Sequence, residues 1–460
     1  MAELQEATQL LSSPIPSPWR RDQLAFTPHG AQPQQQEPDP IPSPRSPKTP
    51  APWSIPSHLV RLPAIREQVV AAIDSGHLAH TDPSNFETVL QHGLNLQELV
   101  SRLPDSPADQ LTLLHNACEV YKTANDLQRG RTAVVLFNWA VALSDIARIA
   151  RSRSADEAAE YLSTAALKYA AAVDIDPQNP QALNNWALTL QELAALAPEE
   201  QREALLFPAV ARFRAAIRLH PDLNLTSRFC YNLGTVLYSH ACHMADKLLG
   251  GGDPPSSVAA STSSSTSTSP SSSSSANERK VRQAFAHAAS YIVLAYALQP
   301  GVRVYEDSIQ AVQRLLPLPY LRTGLFFVAA PGTAGTPEES WIPAWFALDA
   351  YALQSIRPPP AEAFRFKGAI PNISIEIGDI TGTFVCSDPS LPPGWAVWIG
   401  LRERSDGLYL IAEEKEDAEG WVDGVRLVGA LAGGGGADRL QKALLMRRQK
   451  NAGGGGGRRK

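Results

Sequence analysis

The chain has 460 residues, long for a single core, so more than one domain is expected. Hydrophobic residues make up 44% and charged residues 19%, enough apolar side chain for real cores despite 38 Pro and 30 Gly, which confines disorder to local tracts. A net charge of -5, from 41 Lys plus Arg against 46 Asp plus Glu, excludes a chain-wide phosphate-binding surface, and no nucleic-acid partner is expected.

The four cysteines, Cys118, Cys230, Cys242 and Cys386, stand far apart without a CxxC pair, which suits a reducing, cytoplasmic setting better than a disulfide framework. The nearest approach to an uninterrupted membrane span, YIVLAYAL at 291–298, is far short of the roughly 18 residues required. The opening MAELQEATQLL places Glu3 and Glu6 before any basic residue, unlike a secretory signal.

Residues 1–57 hold 13 prolines among Ser and Gln. Each fixes φ and removes a backbone donor, so a disordered Pro-rich arm is expected. From 58 to 317 the sequence is Ala- and Leu-rich with helical spacing, interrupted at 250–276 by a Ser-rich tract that buries nothing and reads as a flexible loop inside the domain. Within it, VLFNWAVALSDIA, ALNNWALTLQELA and FCYNLGTVLYSHA align without gaps, and Asn138, Asn185 and Asn232 recur at a constant interval of 47. A small residue, Ala140, Ala187 or Gly234, follows the large one in each, where a paired helix must cross closely.

A second helix follows each segment: Ala165, Tyr169 and Pro177, then Ala209, Phe213 and Pro221, then Ala288, Ile292 and Pro300. This is the tetratricopeptide pattern, a solenoid in which each hairpin needs its neighbours to bury its apolar face. The usual unit is about 34 residues, so longer loops between the paired helices are expected here. A partial unit upstream carries Ala117, Tyr121 and Ala124, and 302–315 reads as a capping helix. An amide donates and accepts at once, matching a peptide backbone. Asn138, Asn185 and Asn232 are therefore the candidate ladder for an extended peptide lying in the groove; the alternative is that they are polar helix-face or inter-repeat groups.

From 318 to 432 the period changes to strand-like alternation: LRTGLFFVA at 321, WFALDAYAL at 345, ISIEIGDI at 373, TFVCS at 383, WAVWIGL at 395 and LYLIA at 408. Asp406-Gly407 suits a tight hairpin between the last two. The closing helix, EDAEGWVDGVRLVGAL, puts Trp421, Val425 and Val428 on one face, while Gly420 and Gly424 weaken it by about 1 kcal/mol each. Together these resemble a pleckstrin-homology-like barrel, a small antiparallel β-barrel plugged by its C-terminal helix. Phosphoinositide binders of that fold gather bases near the first hairpin, whereas 318–432 holds eight Lys or Arg against fifteen Asp or Glu, with Arg322 the lone candidate.

Beyond lies a basic tail at 433–460, a short amphipathic helix on glycine tethers, with eight Lys or Arg against Asp438 alone. Arg439, Lys442, Arg447, Arg448 and Lys450 flank Leu440, Leu444 and Leu445, a composition suited to an anionic membrane surface or an acidic protein partner. A solubilising terminus is the alternative.

The order of helical repeats, then LPLPYLRTG, WFALDAYAL, DITGTFVCSDPSLPPGWAVWI and EGWVDGVRLV, resembles the plant hypersensitive-to-latrunculin-B family over roughly 110–432. The resemblance implies a cytoplasmic protein peripheral at the trans-Golgi network and early endosome that links vesicle trafficking to actin. The Ser-rich insertion and the basic tail depart from that pattern.

No GxxxxGK[ST], GxGxxG after a strand, GxSxG or HExxH occurs, and all ten His precede the β-rich part. His240, Cys242 and His243 in SHACH spread widely around a helix, which suits packing better than metal ligation. The acidic run from Glu413 to Glu419 reads as a solvated helix start. The expectation is a non-enzymatic adaptor without cofactor or metal; the competing class is a phosphoinositide-binding peripheral membrane protein acting through the β domain or the tail.

Overall fold

The computed structural model describes residues 55–103, 106–219, 222–250, 272–329, 341–360, 362–363, 366 and 371–445, omitting the side chains of 249–250, 272–276 and 404–406. The Pro-rich arm up to 54 and residues 251–271 of the Ser-rich tract lie outside the described residues, while Gly250 and 272–276, expected in the flexible loop, belong to helices. Those described fall into two compact units, 55–219 and 222–445. The boundary therefore falls between the second and third repeats and not at 317/318: the last helical hairpin packs with the sheet.

The first unit is all helix. Short 3-10 turns at Leu59–Arg61 and Pro63–Ile65 lead into α1 (Arg66–Thr81), α2 (Phe86–Arg102), α3 (Pro107–Leu127), α4 (Ala133–Ala150), α5 (Ala155–Ile175), α6 (Pro180–Leu196) and α7 (Glu199–Arg218), each packed on the next. Their starts are written in the sequence. Asn85, Ser154 and Asn179 accept the backbone N–H three residues on, and Pro180 stands at a first helical position, where its missing donor costs nothing.

The 47-residue period comes from long helices rather than the expected long loops. Helices α4 to α7 run 18, 21, 17 and 20 residues, and four and two residues join α4 to α5 and α6 to α7. Helix α4 is long and apolar enough to cross a membrane, yet 72% of it is buried within the unit. That is the signature of a core helix enclosed on most sides.

Small residues mark where paired helices meet. A Cβ at Gly93 on α2 would lie 2.6 Å from the Tyr121 ring on α3. Ala140 and Ala187 are fully buried, as are Ala165 and Ala209 on the helices paired with theirs. Phe137 and Tyr169 meet edge-on at 5.9 Å.

The second unit opens with α8 (Leu223–Gly250) and α9 (Ser272–Leu298), a long hairpin in which a Cβ at Gly234 would meet Ile292 Cγ1 at 2.6 Å. Helix α10 (Arg303–Val312) and a 3-10 turn close it, with the Tyr231 and Tyr305 rings 4.9 Å apart. Seven antiparallel strands follow: β1 (Arg322–Ala329), β2 (Trp341–Leu348), β3 (Ala352–Ile356), β4 (Ser374–Glu376), β5 (Ile380–Cys386), β6 (Trp395–Leu401) and β7 (Arg404–Ala412). They are ordered β4-β3-β2-β1-β7-β6-β5. Helices α11 (Lys415–Gly433) and α12 (Ala437–Leu445) end the unit.

The sheet corrects the expected barrel: it is not closed, and β4 and β5 are its two edges. Those edges are nonetheless consecutive in the chain, joined by the single 3-10 turn Ile377–Asp379. Covalent linkage therefore stands where edge hydrogen bonds would close a barrel. Strand boundaries shift for local reasons. WFALDAYAL divides into two strands because the Asp349 carboxylate accepts the N–H groups of Tyr351 and Ala352, forming a turn. The β6–β7 reversal falls at Arg402-Glu403, not Asp406-Gly407. Gly407, at φ 66, instead sits in a β7 bulge where a Cβ would strike Ile399 O at 2.6 Å and Trp398 at 2.7 Å.

Candidate functional site

The first helix of each hairpin carries the residues singled out as a binding ladder. Asn138 is 7% exposed, and its Nδ2 donates to Val134 O of its own helix at 2.8 Å. Its backbone carbonyl accepts Gln97 Nε2 at 3.2 Å, while the Tyr121 hydroxyl donates to Gln97 Oε1. Asn232 is 6% exposed and belongs to the second compact unit. Asn185 is half-buried and accepts from the neighbouring Asn184 amide at 3.1 Å. Two of the three amides are thus enclosed in the protein, and only Asn138 and Asn185 share a unit. The ladder is corrected to one partly accessible amide, because the aligned slot faces packed neighbours and a side chain there bonds to its own chain first.

A second series on the same helices was not singled out in the sequence. Seven residues beyond Gln91, Asn138 and Asn185, two helical turns along the same face, stand Glu98, Asp145 and Glu192. All three are half-buried. Glu98 pairs with Arg102 at 2.9 Å and Asp145 with Arg148 at 3.3 Å, within their own helices. Such pairs contribute about 0.3–0.5 kcal/mol each and exchange readily for a better cation. Ser144, beside Asp145, lies 3.3 Å from Thr189 Oγ1, which brings α4 and α6 together along this face. The signal that finds the series is the 47-residue interval applied to carboxylates, and the same interval back from Ala140 finds Gly93 and completes the partial upstream unit.

The large slot carries a further repeat. Lys168 Nζ lies 3.9 Å from the centre of the Trp139 ring and the Arg212 guanidinium 4.2 Å from Trp186, each cation reaching from the paired second helix.

In the second unit, the lone candidate base of the β domain is turned inward. Arg322 is 3% exposed, beneath α11, with its guanidinium 5.9 Å from the Trp421 ring. A Cβ at Gly420 would overlap the Arg322 guanidinium, and one at Gly424 would lie 3.2 Å from Leu348. The two glycines that weaken α11 make room for this side chain and the strand beneath. A headgroup approaching from solvent does not meet Arg322.

The basic helix is likewise docked and not tethered. Leu440, Ala443 and Leu444 of α12 are at most 1% exposed, Arg439 Nε donates to Ala297 O at 3.0 Å, and Gln313 Nε2 donates to Ala443 O at 2.7 Å. Arg439 is spent within the fold and Leu445 and Lys442 remain exposed; Arg447, Arg448 and Lys450 lie outside the described residues. The apolar face expected to meet a membrane or partner covers α9 instead.

Burial holds the thiols of Cys118, Cys230 and Cys386 above the ordinary range, so none of these is poised as a nucleophile. Among the described residues no three His, Cys, Asp or Glu side chains gather as a ligand set. No protein-family model matches the chain, and no curated protein matches it.

Proposed function

We propose that this chain is a non-enzymatic adaptor whose tetratricopeptide-like helices capture an extended, Lys- or Arg-bearing segment of a protein partner, and whose second unit carries a pleckstrin-homology-like module. The observation that carries this reading is the acid series Glu98, Asp145 and Glu192, recurring at the repeat interval on half-buried first-helix positions. Regularly spaced carboxylates on successive hairpins suit an extended chain, which offers a side chain at regular steps, better than a compact ligand. Asn185 adds an amide able to meet its backbone. The tetratricopeptide reading is supported by Gly93 and Gly234, whose missing side chains are replaced by a residue of the paired helix. The strand order with its closing helix supports the pleckstrin-homology-like one. The family resemblance adds the setting: a cytoplasmic protein at the trans-Golgi network and early endosome that joins vesicle traffic to actin.

The test is capture of Lys/Arg-rich peptides by the full chain, followed by fluorescence anisotropy. Reversing Glu98, Asp145 and Glu192 to Lys should weaken binding at least roughly tenfold, about 1.4 kcal/mol, and binding should fall as salt rises. Equal binding by the triple variant would remove the reading. Peripheral lipid binding through the β domain loses its one candidate base to burial, so that alternative rests on the tail; flotation of the full chain with anionic vesicles checks it.

A further inference from the structure

Helix α9 presents a line of polar side chains to α11: Lys280, Gln283, His287 and Tyr291, spaced to share one helix face. Each meets a carboxylate. Lys280 Nζ lies 2.9 Å from Glu414, Gln283 Nε2 lies 2.8 Å from both oxygens of Asp417, His287 Nε2 is 3.1 Å from Asp417, and the Tyr291 hydroxyl donates to Asp423 at 2.7 Å. Exposure falls along the line: the Lys280 side chain is 61% exposed and that of His287 11%, while Asp423 is 1% exposed. The seam is wet at one end and dry at the other.

At its middle, one carboxylate serves two basic groups. Asp417 faces His287 from α9 and the charge of Arg322 from β1, and Glu416 on α11 also acts on His287. Arg322 is fixed in the notch at Gly420. We propose that this seam is an acid-opened latch, in which a proton on His287 places a second buried cation beside Arg322 and loosens α11 and α12 from α9.

The sign follows from where the proton prefers to be. Burial first, and the Arg322 charge second, hold the His287 pKa below its ordinary 6.5 despite Asp417. An imidazole lowered in the closed form binds its proton more tightly once the seam opens. The seam is therefore fully stabilised above pH 6.5 and weakens as pH falls below it. Burial raises Asp417, but His287, Arg322 and Gln283 outweigh it and hold its pKa below the ordinary value, so this carboxylate stays charged throughout that window.

The experiment is amide hydrogen exchange by mass spectrometry on the full chain at pH 7.5 and 5.5, corrected for intrinsic rates. Peptides covering 415–445 should exchange several-fold faster at pH 5.5, with those of α3 to α5 in the other unit unchanged. H287Q, which keeps an N–H donor for Asp417 but does not titrate, should abolish the rise. No acid-dependent rise in the unmodified chain overturns the latch, as does a full rise in H287Q or in the second variant H287N. If neither variant folds at pH 7.5, the midpoint in the unmodified chain decides: a midpoint above 6.5 overturns the proposal and one below supports it.

Discussion

Gly93 and Gly420 lack side chains for one physical reason: another residue occupies the space where a Cβ would go. At Gly93 the occupant is the Tyr121 ring, itself 0% exposed, and at Gly420 the Arg322 guanidinium. Gly93→Ala should cost about 1–3 kcal/mol through overpacking, whereas Gly433→Ala, which meets nothing within 4 Å at the end of α11, should be neutral or slightly stabilising. Denaturant titration of both variants checks the contrast. Removing the Tyr291 hydroxyl leaves the buried Asp423 carboxylate short of a donor, so Tyr291→Phe should cost about 1–3 kcal/mol, read the same way. The equivalence of Asn138, Asn185 and Asn232 was legible from their spacing, but the burial of Asn138 and Asn232 was not. A repeat reveals which positions correspond; what covers them is decided by residues distant in the chain.

For the elements, α12 illustrates how composition misleads. A short helix with apolar residues on one side and bases on the other is suited equally to a membrane and to its own protein, and only the geometry of α9 and the turn at Gln313–Leu315 decides between them. Leu440→Ala should therefore destabilise the second unit by about 2–5 kcal/mol by opening a cavity, while Lys442→Ala should change stability by less than about 0.5 kcal/mol. Thermal unfolding would separate the two, and equal effects would mean that α12 is not docked. Helix positions were legible because their caps and apolar period are local. The strands were less so: WFALDAYAL reads as one run until Asp349 folds its carboxylate onto the next turn, and Gly407 signals a turn while serving a bulge.

At the scale of the whole molecule, the order of helices before strands was legible from the change of period at 318, but the grouping of hairpins was not. The third repeat shares its pattern with the other two, yet it packs with the sheet, because Lys280, Gln283, His287 and Tyr291 face α11. Those residues are scattered through an ordinary helical sequence, and their partners lie 130 to 134 positions on. A fragment spanning 222–445 should accordingly unfold in one cooperative transition. One spanning 318–445 should bind apolar dyes and aggregate, since it loses α9, whose Tyr291 meets Asp423 and against which the Leu440 face of α12 packs.

The turn at Ile377–Asp379 joins the two edge strands of the sheet. With so few residues between them, β4 and β5 are leashed to a common corner, and neither rim of the sheet can wander far from the other. Splicing a dozen flexible residues into that corner would slacken the leash without deleting a single contact elsewhere. The seven-residue, uncharged β5 would then be free to recruit strands from other molecules, so a loop insertion, ordinarily the mildest of edits, would here seed fibres.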